Sequence, residues 1–302
     1  MTLCRTTLIG VVAAGVAACG PRVEPIPADY HQQVEAFRDQ RASEIIAPAG
    51  WAALVGLHWL TPGVHTIGSE VGSDVLLTGP SAPASLGTVT VTETGATLTV
   101  AEGVDVRRGE EWVTNVELLP GAPSDDYLVA GGVTLTLIER GERLALRVWD
   151  TQAPAMLAFT GLDWMPTDEA WRVQARFEAH TPEPQLKILN VLDEIVDMRN
   201  PGVATFTFGE QAYRLEALLE TDDAEELFFM FRDATSGTTT YGAGRYLYTA
   251  LPQDGRVILD FNQAKNPPCA FTDFATCPLP PKGNVLSLAV MAGELDHLHK
   301  RR

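Results

Sequence analysis

Thr88-Val-Thr-Val-Thr-Glu-Thr-Gly-Ala-Thr-Leu-Thr-Val100 alternates polar and apolar side chains on either side of a bend that contains Gly95. Period-two alternation gives one buried and one wet face, so the stretch reads as a β-hairpin. The signature spreads outward in both directions. Short β-rich runs occupy Val64 to Ile67, Val75 to Leu77, Val104 to Arg107 and Trp112 to Leu119, and Gly63, Gly68, Gly72, Gly79, Gly87 and Gly103 punctuate them. Val133 to Ile138 and Arg143 to Trp149 form another hairpin about Glu139-Arg140-Gly141-Glu142. Many short strands with regular turns predict a β-sandwich over residues 51–150.

Between Pro154 and Pro166 the rhythm breaks, and a second β-rich set follows. Its runs are Arg172 to Ala179, Lys187 to Asp193, Val196 to Met198, Gly202 to Phe208, Gln211 to Glu220, Leu227 to Arg232, Tyr246 to Thr249, Val257 to Asp260 and Leu286 to Met291. An antiparallel β domain is expected over residues 155–295, and the length suffices for two modest cores. The fold class is therefore all-β. One helix is the exception: Tyr30, Val34, Phe37, Arg41 and Ile45 recur at helical spacing within residues 28–47, before Pro48 and Gly50.

The N-terminus predicts an address. Arg5 precedes a short apolar run, Leu8 to Ala18, too short to span a membrane and typical of a secretory signal over residues 1–18. Val16-Ala17-Ala18-Cys19-Gly20 resembles the lipobox of bacterial lipoproteins, which implies a lipidated Cys19, a tether over residues 19–27 and an extracytoplasmic place in the cell envelope. The predicted partner is the membrane, through that lipid. Processing would leave 21 basic residues against 39 acidic ones, a charge of −18. Nucleic acid is an unsuitable partner, because binding its phosphates is driven by Lys and Arg.

With Cys4 removed and Cys19 lipidated, Cys269 and Cys277 remain. Outside the cytoplasm two cysteines most simply form a disulfide. A metal-ligand pair and a reactive thiol are the alternatives; no CxxC or histidine-rich spacing supports metal, and neither metal nor cofactor is expected. The two cysteines lie in a proline-rich segment, Asp260 to Pro281, which neither a helix nor a central strand accommodates. A rigid loop on a β scaffold is a usual place for binding or catalysis.

Gly63-Val-His-Thr-Ile-Gly-Ser69, with Ser73-Asp-Val-Leu-Leu77 and Ser81, is similar to the opening of forkhead-associated sandwiches, which read phosphothreonine. Ser69 stands where that family has arginine, and Ser85-Leu-Gly-Thr88 replaces its Ser-x-x-His, so the resemblance implies the fold without the phosphopeptide site. A longer signature runs Arg232-Asp-x-x-Ser-Gly…Thr-Tyr-Gly-x-Gly-Arg245, Asp260-Phe-Asn-x-Ala-x-Asn-Pro-Pro-Cys-Ala-Phe271 and Thr-Cys277-Pro-Leu-Pro-Pro…Asn…Ala-Gly-Glu294. It resembles the DUF1684 family, as does Trp51-x-x-Leu-Val-Gly-Leu-x-Trp-Leu60; Lys265 departs from it where an aromatic residue is expected. The family implies no activity.

Arg232, Asp233, Ser236, Tyr241, Arg245, Asp260, Asn262 and Asn266 form the candidate polar cluster. Two readings fit it. The groups lock the loop onto the sheet as a buried ion-pair network, or they line a pocket for a small polar or carbohydrate ligand. In the second reading Arg232 and Arg245 hold the ligand, and Asp233 or Asp260 is a candidate base for a carboxylate-dependent hydrolase. A structural envelope protein without a ligand is the third possibility.

Overall fold

A computed structural model of the chain describes residues 24–297. The expected signal segment, Cys19 and residues 20–23 of the expected tether lie outside them. The helix is α1, Tyr30–Ile45, and its buried stripe is Tyr30, Val34, Arg41 and Ile45, with Phe37 half-buried.

Eleven strands follow: β1 Leu54–Leu60, β2 Gly63–Gly68, β3 Val75–Leu76, β4 Gly87–Val91, β5 Ala96–Val100, β6 Arg107–Arg108, β7 Glu111–Trp112, β8 Asn115–Leu118, β9 Leu128–Ala130, β10 Val133–Arg140 and β11 Arg143–Asp150. They make two sheets, ordered β1-β11-β10-β9-β6-β7 and β3-β2-β4-β5-β8. One core drawn from both sheets, including Ile67, Leu86, Leu98, Leu128, Leu135 and Leu146, fills the space between them. This is the expected sandwich. The quoted hairpin is β4–β5 with Val91 opposite Ala96, its turn tied by Thr92 Oγ1 donating to Gly95 O at 3.0 Å. The expected strands at Val104 to Arg107 and Trp112 to Leu119 shrink to the fragments β6, β7 and β8. Strand β1, in the Trp51-to-Leu60 motif, goes beyond the sequence expectation: flanked by β11 alone, it holds Gly56 and His58 inside an otherwise apolar run.

After the short helix α2, Pro154–Leu157, come β12 Arg172–Ala179, β13 Gln185–Leu189, β14 Ile195–Phe208, β15 Gln211–Leu219, β16 Glu226–Phe231, β17 Arg245–Ala250 and β18 Arg256–Asp260. Their sheet runs β17-β16-β15-β14-β12-β18, with β13 on β14. It curls so that its two ends meet, and Thr249 Oγ1 donates to Ile258 O at 2.6 Å. Phe206, Phe229, Phe231, Leu247, Leu259 and Phe261 pack inside the curl.

One expected strand is absent: Leu286 to Met291 is irregular. Its backbone meets residues 232–234 briefly, with Leu286 N donating to Arg232 O and Ala234 N to Leu288 O. Beyond that, side chains replace a neighbouring strand. Val290 N donates to Asp233 Oδ2 at 2.7 Å, and Arg245 donates to Val290 O at 3.1 Å. Asn284 does the same where β15 and β16 diverge. It accepts from Glu216 N at 2.7 Å and donates to Glu216 O and Met230 O at 2.9 and 2.8 Å.

Candidate functional site

The eight residues expected to share one polar cluster divide among separate places, and the period of a strand is the reason. Successive side chains on β17 point to opposite faces. Arg245 and Leu247 enter the curled sheet, whereas Tyr246 and Tyr248 pack on its other side. Likewise Asp233 is buried and its neighbour Arg232 is exposed.

The first group is a buried lock. Arg245 Nη2 and Asp233 Oδ2 are 3.1 Å apart with both side chains fully buried. Arg245 Nη1 donates to Ala292 O, and Thr235 and Ser236 donate to Asp233 Oδ1 at 2.8 and 3.0 Å. Burial pulls the Arg245 guanidinium below its ordinary pKa, with Asp233 opposing. Gly244 permits the entry: a Cβ there would lie 2.5 Å from Phe231 O, at φ +106°.

A second lock ties α1 to the end of β18. Asp260 Oδ1 accepts from Tyr30 Oη at 2.7 Å and Oδ2 from Gln263 at 3.0 Å, while Asn262 Nδ2 donates to Tyr30 Oη at 2.9 Å and to Asp168 O at 2.8 Å. Burial first, then the bond to Asp260, raises the Tyr30 pKa above the usual phenol range. Tyr241, half-buried, donates to Cys269 O at 3.1 Å. Thus neither arginine of the expected cluster is placed to hold a ligand beside Asp260: Arg245 is fully enclosed, and Asp260 belongs to a different network.

Asn266 alone among the eight reaches an open cleft, of about 250 Å³. The cleft lies between the sandwich and the curled sheet. Trp51, Arg140 and Arg147 line it from the first, Arg41 from α1, and Tyr246, Tyr248 and Glu220 from the second. The Pro/Cys loop forms another wall through Pro268, Ala275, Thr276, Cys277 and Pro278. Cys269 and Cys277 are disulfide-bonded, and Arg140 Nε donates to Thr276 Oγ1 at 3.2 Å across the gap. The turn after β18 pairs Lys265 with Tyr246 through two backbone bonds of 2.8 and 2.9 Å, which places Lys265 Nζ 4.6 Å from the Tyr248 ring centre.

Four cations therefore line one cleft of a chain whose net charge is −17. Arg147 sits 5.6 Å from the Trp51 ring centre and 5.9 Å from that of Trp149, geometry that holds a guanidinium through the ring quadrupole. Desolvation, then the Arg140 charge, pushes its pKa down to about 10. Lys265 is lowered by burial first and Arg41 second, with Glu44, Glu294 and Glu220 opposing. Glu220 hydrogen-bonds Tyr248 and is raised chiefly by burial. Behind Asn266, burial raises the enclosed Glu294 to about 7, although Arg41 lies 3.7 Å away. Among the described residues no group of His, Cys, Asp and Glu is arranged to hold a metal.

None of Arg41, Trp51, Arg140, Arg147, Glu220, Tyr246 and Tyr248 is among the site residues expected from sequence. Two signals were present: a cation inside the apolar stripe of α1, and Lys265 in place of an aromatic residue.

Fold and site together define an all-β protein with a cationic, aromatic-lined cleft between two β units. Residues 157–295 match the family described as "Protein of unknown function (DUF1684)". Arg41, Trp51, Arg140 and Arg147 lie outside the matched residues. The solution NMR structure of an uncharacterized protein from Haloarcula marismortui is 34% identical, over 45% of this chain and 77% of that one, with a TM-score of 0.39. No curated protein matches the chain.

Proposed function

We propose that this is a lipid-anchored binding module of the bacterial cell envelope whose cleft takes a small polar ligand with an anionic group. The observation that carries the reading is the Arg140–Arg147 pair. Arg140 lies close enough to the half-buried Arg147 for its charge to lower the Arg147 pKa, and among the described residues neither is in an ion pair with a carboxylate. Guanidinium groups bind carboxylate and phosphate through paired, charge-assisted hydrogen bonds, so an anion relieves this repulsion. Trp51 and the tyrosines offer apolar surface beside it, the usual mixture in a small-molecule site. The Asp233–Arg245 lock has a structural role in this account.

Isothermal titration with inorganic phosphate and with glucuronate tests the reading. At least one should bind, and Arg147→Gln should weaken it roughly tenfold or more, as loss of a charged hydrogen bond predicts. Equal binding by the variant, or none by the wild type, overturns it.

A second reading, a carboxylate-dependent hydrolase, draws support from Glu220, whose raised pKa in an open cleft suits a general acid. Turnover of a glycoside or ester that Glu220→Gln abolishes without loss of binding would select it.

A further inference from the structure

Three buried polar atoms on cleft residues lack hydrogen-bond partners among the described residues: Nε of Arg41, Nε of Arg147 and Oδ1 of Asn266. The asparagine carries the most information, because its amide orientation is determined by its neighbours. Nδ2 donates to Glu294 Oε1 at 3.0 Å and to Leu295 O at 2.7 Å, while its backbone N donates to Glu294 Oε2 at 3.1 Å. Both amide hydrogens are thus consumed by acceptors, and the remaining atom is an acceptor. Gly293 brings Glu294 into place: a Cβ there would meet Ala264 O at 2.6 Å, at φ +88°.

Asn266 is only 1% exposed, and a buried acceptor without a donor is costly. The tyrosine hydroxyls of the cleft do not serve it. Tyr246 Oη donates to Pro278 O at 2.7 Å, and Tyr248 is bonded to Glu220. An ammonium donor from a ligand would have to approach Arg41 and Lys265, so a neutral O–H is the donor that fits.

Resting on the cleft being an anion site, we propose that Asn266 Oδ1 reads a ligand hydroxyl, so that the cleft takes a hydroxylated anion, a sugar acid or sugar phosphate, in preference to a bare anion of the same size. Arg140 and Arg147 hold the acid group, and Asn266 is the specificity determinant.

Titration calorimetry on the full mature chain with two isosteric pairs tests this. Glucuronate is compared with cyclohexanecarboxylate, and glucose 6-phosphate with cyclohexylmethyl phosphate. In at least one pair the hydroxylated member should bind tenfold or more tightly, and the pair that does so identifies the acid. Asn266→Ala should erase that preference, the two members of each pair then binding alike; a preference that survives in the folded variant overturns the assignment. If this variant does not fold, the wild-type pairs decide alone. Equal affinities within both pairs overturn the hydroxyl assignment and leave the anion site standing; no binding of any of the four overturns both.

Discussion

Replacing Arg245 with alanine separates a structural role from a binding role. The wild-type guanidinium donates to Asp233 Oδ2, to Val290 O and to Ala292 O, and its side chain is fully buried. After Arg245→Ala, Asp233 keeps its bonds from Val290 N, Thr235 and Ser236 but loses its counter-charge. Two carbonyls lose their donor as well. Breaking a buried pair from one side costs about 3–5 kcal/mol, a large part of the roughly 5–15 kcal/mol that holds a domain folded. Urea unfolding followed by circular dichroism should show that loss, and the Val290 amide should exchange faster. Ligand affinity of the protein still folded should be unchanged, since Arg245 does not reach the cleft. A variant that loses ligand but keeps its melting temperature would refute this reasoning and return Arg245 to the site.

Removing the disulfide with Cys269→Ser and Cys277→Ser should cost about 2.5 kcal/mol on the chain-entropy model for so short a loop, and should weaken binding because residues 275–278 form a cleft wall. Unchanged affinity would show that the loop keeps its shape without the staple. Glu294 makes a pH prediction. Its folded pKa is raised from an ordinary 4.5 to about 7, so between those values the native state holds a proton that the unfolded chain has released. Stability relative to Glu294→Gln should therefore be full below pH about 4.5 and fall by roughly 3 kcal/mol as the pH rises through 7. Parallel urea midpoints for the two proteins across pH 4.5–8 would contradict it. Cys19→Ser should leave an unprocessed precursor without lipid label; retained labelling would exclude the lipoprotein assignment.

Fold class and most strands were legible because strands advertise themselves locally. The alternation in Thr88 to Val100 and the Gly141-Glu142 turn, where Arg140 faces Arg143, need only neighbouring residues to be read. Leu286 to Met291 failed because an apolar run was weighed without knowing that Asp233 and Arg245 would serve its backbone. The site was harder. Arg232 and Arg245 are close in sequence and chemically alike, yet period-two geometry and a glycine turn leave the first exposed and bury the second against Asp233. The cleft draws on residues as distant as Arg41, Arg147 and Lys265, and only the docking of α1 and the sandwich against the curled sheet brings these together. Local motifs carry no record of that docking, although Gly244, Asn284 and Gly293 in the family signature did mark positions where backbone and side chains approach closely.

The most direct test of the account is a structure of the protein grown with glucuronate or glucose 6-phosphate. The account predicts an acid group within hydrogen-bond distance of Arg140 and Arg147, with a ligand hydroxyl on Asn266 Oδ1. A ligand bound elsewhere beside an unchanged cleft, or one whose acid group avoids both arginines, would contradict it.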